Sequence, residues 1–296
     1  MPTLTGWPMP KPLLTRKKSA WAKQFKPRRI QGKPLTVNAG VTQWYAAKLG
    51  KLAGQMVAET EREVVKVFTQ ANADGASMDA SPASQGRIVL AYLKRKFMGL
   101  MGRKAKTLVA SMILRTDKAS ASGLGESLKD LSGGLVLKTS TMPPALQEAV
   151  KATIVQNVSL ISSITVEYHS KVEGAVMRSI TSGNGLADLV TELKDIGGVT
   201  MRRARLVAHD QTAKAYLSFA KHRMQAAGIT KFKWLHSGAS RVPREYHRDV
   251  LHGQIFEVAN PPMIDEKTKQ RGLPGDLIGC RCRMVPVIEF ADGGEA

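Results

Sequence analysis

The sequence predicts an α+β protein: a mostly helical N-terminal region, preceded by a basic extended arm, followed by a small α+β domain. Three observations predict it. Apolar residues recur at spacings of three and four from about residue 41 to residue 227, the signature of amphipathic helices. Six prolines (Pro2, Pro8, Pro10, Pro12, Pro27 and Pro34) interrupt the first 38 residues. Short apolar runs separated by turn-rich loops fill the stretch after Gly228. The corresponding division is an arm over 1–40, a helical region over 41–183 and an α+β domain over 184–296.

The arm is basic as well as proline-rich. Residues 1–58 carry 11 Lys/Arg and no acid, since Glu59 is the first carboxylate. Residues 59–227 have 23 basic and 15 acidic side chains, and residues 228–296 have 10 and 9, so most of the net +20 is N-terminal. Arg16, Lys17, Lys18, Lys23, Lys26, Arg28 and Arg29 are therefore expected to meet a polyanion, either duplex DNA without sequence choice or an acidic protein surface. Trp7, Trp21 and Phe25 add apolar anchors that a purely solvating tail rarely keeps.

Tyr45, Leu49, Leu52 and Met56 lie on one face of a first helix, and Leu93, Phe97, Leu100 and Met101 on one face of a second. The small polar segment 71–86 reads as the loop between them. The second helix is basic, with Lys94, Arg95, Lys96, Arg103 and Lys104 as a second candidate polyanion surface. Residues 120–134 read as a short glycine-bounded helix. Pro143-Pro144 then sets up a helix of about 30 residues, in which His169 is a packing or surface residue rather than a catalytic one. Leu186, Leu189, Val190 and Leu193 mark a further helix that Gly197-Gly198 is expected to close. Thr200 would cap another, ending at Gly228 in the left-handed conformation. On that helix Leu206, Ala213, Leu217, Ala220, Met224 and Ala227 form an apolar stripe. Asp210 falls on the stripe, so it needs a partner, and an arginine is the obvious one.

After Gly228, strands are expected around Phe232–Leu235, Ile255–Val258 and Met284–Ile288. This small unit holds three of the six histidines (His236, His247 and His252) and both cysteines within 47 residues. In an extended segment Cys280 and Cys282 point to the same face, and a disulfide between such neighbours is strained. Two thiolates with His247 and His252 would make a four-ligand zinc set of the structural type, although the spacing differs from that of the common fingers. The competing expectation is that the cysteines pack in the core and the histidines bond to backbone.

Several classes are excluded or disfavoured by pattern. No stretch approaches roughly 18 consecutive apolar residues, so no membrane partner is expected. Lysines and arginines interrupt every early apolar run, which leaves no signal-peptide core and points to synthesis in a cytoplasm. Neither a phosphate-cradling G-x-x-x-x-G-K-[ST] nor a G-x-S-x-G elbow is present. Glu245, His247, Asp249 and His252 give only a superficial likeness to a metal nuclease.

One ordered series of motifs goes further. L-x-x-L-V-x-x-L is followed by G-G-V-T-x-x-R-A, A-H-D-Q-T-A-K-A, a K-F-x-W-x-x-S-G strand, R-V-P-R-x-x-H, H-G-x-x-F, N-P-P, P-G-D and C-R-C-R. From Leu186 to Phe290 this series resembles the phage Mu F-like minor head proteins. Arg203, Ala204, Asp210, Gln211 and Thr212 match the family's signature helix, and Trp234 and Ser237 its first strand. Arg241, His247, Gly253, Phe256, Cys280 and Cys282 match its loop-and-cysteine core. Ala239-Ser240 stand where the family often has an acidic pair, which removes any role resting on a carboxylate there. The resemblance implies a minor component of a tailed-phage head, present in few copies and needed for head assembly. Its implied partners are the portal protein, the major capsid protein and packaged double-stranded DNA, with the virion head as its place. It implies no catalytic activity and no certain cofactor; the rival expectation is a metal-dependent enzyme of the capsid interior, such as a zinc nuclease.

Overall fold

Asn38 begins the helical part of the chain: its side-chain oxygen accepts a hydrogen bond from the Val41 N–H at 3.0 Å, satisfying one of the free donors of helix α1, Ala39–Ala73. Three more long helices follow: α2 (Pro82–Leu128), α3 (Pro144–Ser182) and α4 (Leu186–Ala226). The computed structural model describes residues 29–73, 82–129, 143–182, 186–238 and 243–289. Pro82 and Pro144 each stand at the first helical position, where a missing N–H costs nothing.

The four helices share one core. Tyr45, Leu49 and Met56 of α1 meet Leu93, Phe97 and Met101 of α2, Ile161 and Tyr168 of α3, and Leu189 and Phe219 of α4. Each such burial contributes about 1.5–3 kcal/mol, enough to hold faces whose intrinsic helix propensity is ordinary. A second core lies at the C-terminal end of α4, where Tyr216, Leu217, Ala220 and Met224 pack on an antiparallel sheet.

The sheet has the order β1-β4-β2-β3, with β1 at Arg29–Gln31, β2 at Lys231–Leu235, β3 at Ile255–Glu257 and β4 at Arg283–Glu289. Register is fixed by pairs such as Trp234 with Met284 and Phe232 with Phe256. Strand alternation in β2 buries Phe232 and Trp234 against the helices, leaving Lys231 and Lys233 half-exposed. The predicted strands are all present, and the predicted fold class is the observed one.

The structure corrects several local expectations. Arg29–Gln31 is not arm but an edge strand on β4, and Leu35 beyond it is buried in the second core. Residues 1–28, with most of the predicted arm, lie outside the described residues. The helix expected from Arg87 starts at Pro82, inside the predicted loop, and the described residues 120–128 continue α2 rather than form a helix of their own.

Gly197-Gly198 does not end a helix either; α4 runs through both. A Cβ on Gly197 would stand 2.7 Å from a Val57 methyl, so this glycine lets α4 approach α1 closely. Gly123 serves the same end, because a Cβ there would collide with the Tyr216 hydroxyl. Thr200 is not a cap but donates to the Ile196 carbonyl inside the helix. Leu206 is half-exposed, and Ala204 and Ala208 face the core instead. The end of α4 is as expected: Gly228 has φ +75°, with Ile229 N–H bonded to Met224 O and Gly228 N–H to Gln225 O.

Part of helix α3 is long and apolar enough, by length and composition, to cross a membrane. In the fold it packs against α2 and α4 and buries polar Asn157, Thr165 and His169.

Candidate functional site

A short π-helical turn, Tyr246–Leu251, points His247 into the second core, where it is buried. Its Nε2–H donates to the Ile264 carbonyl at 2.9 Å. That bond fixes the tautomer and leaves the Nδ1 lone pair facing inward. Two sulfurs meet it: Cys280 Sγ at 3.6 Å and Cys282 Sγ at 3.7 Å. Both cysteines are buried and free. The one-residue spacing turns both to one face, as the sequence predicts.

The pair of thiols is electrically asymmetric. A hydrogen bond from Cys282 draws Cys280 well below the ordinary thiol range, even against the cost of burial. The same bond, together with burial, pushes Cys282 above that range. The Trp234 ring stands edge-on to His247 with centroids 5.0 Å apart, and its buried indole N–H lies beside Cys282.

His252 does not join this centre. It lies past the end of the π-helical turn, is exposed, and its Nδ1 accepts the His236 backbone N–H at 3.0 Å. The four-ligand set expected from sequence is therefore three-quarters assembled, with His252 elsewhere. Asp249 is also apart, paired with Arg248 at the surface, so the nuclease-like grouping with Glu245 does not form around the sulfurs.

The signature-helix residues form a polar chain across the molecule. Tyr45 of α1 donates to Asn157 of α3, Asn157 donates to Gln211 of α4, and Gln211 donates to Asp210, at 3.1–3.2 Å each. Asp210 in turn accepts the Gly279 N–H at 3.2 Å and pairs with Lys214 at 2.8 Å. Its partner is a lysine one turn on, not the expected arginine. Asp210 and Gln211 so join the helical core to the backbone next to Cys280. Arg203 ties α4 to α3 through Glu167 and Ser163, and Thr212 bonds back to the Ala208 carbonyl. Gly253 has φ +82° and donates to the Trp234 carbonyl, a turn that a side chain would strain. Arg241 lies outside the described residues.

A second feature is a cleft of about 660 Å³ between α1 and α2. Lys48, Lys51, Arg103 and Lys104 line it over an apolar floor that includes Trp44 and Leu100, and no acid lines it among the described residues. The Arg115 guanidinium lies 4.4 Å above the Trp44 ring. Arg103 and Lys104 were expected at such a surface. Lys48 and Lys51 were not, although their spacing of three on α1 places them on one face. Lys94, Arg95 and Lys96 lie further along α2, Lys96 pairing with Glu59. Arg29 pairs with Glu289 at 2.6 Å. Arg16, Lys17, Lys18, Lys23, Lys26 and Arg28 lie outside the described residues.

Fold and site together define a class: a four-helix body carrying a small sheet domain with a buried thiol–imidazole centre. Within it, residues 170–285 match the family described as phage Mu protein F like protein, the family the motif series resembles. The chain is also similar to a protein of Haemophilus influenzae described only as an uncharacterized protein, with 28% identity over 267 residues. That similarity covers 90% of this chain but 58% of the relative, so the chain spans little more than half of the relative's length. No solved structure matches the chain.

Proposed function

We propose that this protein is a minor head protein of a tailed bacteriophage, acting in head morphogenesis without catalysing a reaction. The match of residues 170–285 to the Mu F-like family carries the reading. In it, the C-terminal domain is a docking module at the portal vertex, within reach of the major capsid protein. The basic arm and the α1–α2 cleft meet packaged DNA or an acidic rim of the portal. The cleft supports this role because four cations converge there with no acid in its lining among the described residues. Docking suits the C-terminal unit because its net charge is only +1 over residues 228–296, and its motif residues brace the fold rather than surround an open reaction site.

The test is the composition and map of purified heads. The protein is expected in few copies per particle, with density at the portal vertex in an asymmetric reconstruction, and deletion of its gene is expected to leave malformed or empty heads. Normal, infectious heads formed without it would refute the reading.

A further inference from the structure

We propose that His247, Cys280 and Cys282 form a binding site for a thiophilic divalent cation, zinc in the first instance, with His247 Nδ1 and the two Sγ atoms as ligands.

Distances carry the argument. Zinc–sulfur bonds of about 2.3 Å and zinc–nitrogen bonds of about 2.0–2.1 Å, at a tetrahedral angle, separate a thiolate sulfur from an imidazole nitrogen by about 3.6 Å. The two observed separations are 3.6 and 3.7 Å. All three donor atoms lie within 4.8 Å of one another, so one ion reaches them together.

Nδ1 has one lone pair, which a single S–H satisfies, yet two sulfurs are at bonding range. A cation between them uses all three donors.

The surroundings fit as well. The His247 Nε2–H bond to the Ile264 carbonyl is the outer contact that orients a metal-binding imidazole. The buried Trp234 indole N–H beside Cys282 is a ready donor to a thiolate. Two thiolates balance a divalent ion, so the occupied centre is neutral and burial carries no net charge. Between these groups and His236 lies a cavity of about 10 Å³, room for one small ion. The inference is independent of the head-protein reading, since it concerns the chemistry of the centre alone.

The experiment uses the full chain, purified without chelator. Elemental analysis is expected to find about one zinc per chain, the stoichiometry of a single site. After stripping, cobalt(II) is expected to give the near-ultraviolet sulfur-to-metal charge-transfer band and the intense visible bands of tetrahedral coordination. C280S, C282S and H247A should each lose stoichiometric metal, whereas H252A should keep it. Because a ligand variant can fail to fold, the cobalt spectrum of the unmodified chain is read independently of the variants. Absence of both zinc and a thiolate–cobalt band overturns the proposal, as does loss of metal in H252A equal to that in C280S.

Discussion

His169 shows how a single side chain sets the molecule's response to pH. It is 2% exposed, its Nδ1–H donates to the Thr165 carbonyl at 2.9 Å, and its Nε2 is buried without a partner. Phe97 of α2 and the neighbouring Tyr168 ring surround it. Burial lowers its pKa below 6.5, outweighing the carbonyl hydrogen bond, and nearby Lys94 acts in the same direction. A base whose folded-state pKa is depressed contributes stability that is present above its unfolded value and lost as pH falls through the folded one. The chain is therefore expected to lose urea resistance below about pH 6.5, with a slope from this group of at most about 1.4 kcal/mol per pH unit. H169L should flatten that limb; urea midpoints above and below pH 6.5 check it, and an unchanged pH dependence would remove His169 from the account. His247, by contrast, already uses Nε2 toward Ile264 and turns its free lone pair to two sulfurs. Both are buried histidines, and only the second is among possible ligands.

At the scale of elements, glycine is where the sequence was hardest to read. Gly197 and Gly198 look like a stop signal, yet the physical demand is close approach of α4 to α1, which only the three-dimensional arrangement reveals. The two glycines should behave oppositely. G197A forces a Cβ to 2.7 Å from Val57 and 3.0 Å from Glu61 Oε1, and should cost about 1–3 kcal/mol. G198A meets nothing closer than an Arg202 nitrogen at 3.5 Å, and should stabilise by up to about 1 kcal/mol through helix propensity. Equal denaturation midpoints for the two variants would contradict the packing argument. Elements governed by local rules were legible: the proline start of α3, the glycine end of α4, and strands β2, β3 and β4. The same-face placement of Cys280 and Cys282 was also legible, since strand alternation is local. The choice between His247 and His252 was not, because it depends on which residue of a π-helical turn faces the core. The acceptor that orients His247 is a backbone carbonyl, which no residue type announces. Strand β1 was hidden for a related reason. Three residues in a proline-rich basic segment carry no strand signal of their own, and their structure comes from the edge of β4.

For the whole molecule, that edge strand decides how the polyanion interaction is tested. Removing residues 1–38 would take away more than charge. It deletes the β1–β4 pairing, the Leu35 N–H bond to Met284, the Gly32 and Lys33 N–H bonds to Pro286 and Ser127, and the cap at Asn38. Leu35 is 1% exposed, and losing a buried leucine alone costs about 2–5 kcal/mol. A deletion of 1–38 is therefore expected to loosen the sheet domain and to confound any binding result. A deletion of 1–28 leaves β1 in place while removing seven Lys/Arg: Lys11, Arg16, Lys17, Lys18, Lys23, Lys26 and Arg28. Its thermal midpoint should stay close to that of the full chain, whereas that of the 1–38 deletion should fall by several degrees. With duplex DNA, the full chain should bind at low salt and weaken steeply as salt rises. Every phosphate that the arm neutralises adds about 0.9 to the steepness of the logarithmic salt dependence, so the 1–28 deletion should show a shallower slope. Charge reversal at Arg103 and Lys104 in the α1–α2 cleft should reduce the slope that remains. An identical salt slope in the full chain and the 1–28 deletion would take the arm out of the DNA interface. No binding by the full chain at low salt would leave an acidic protein rim as the polyanion to pursue.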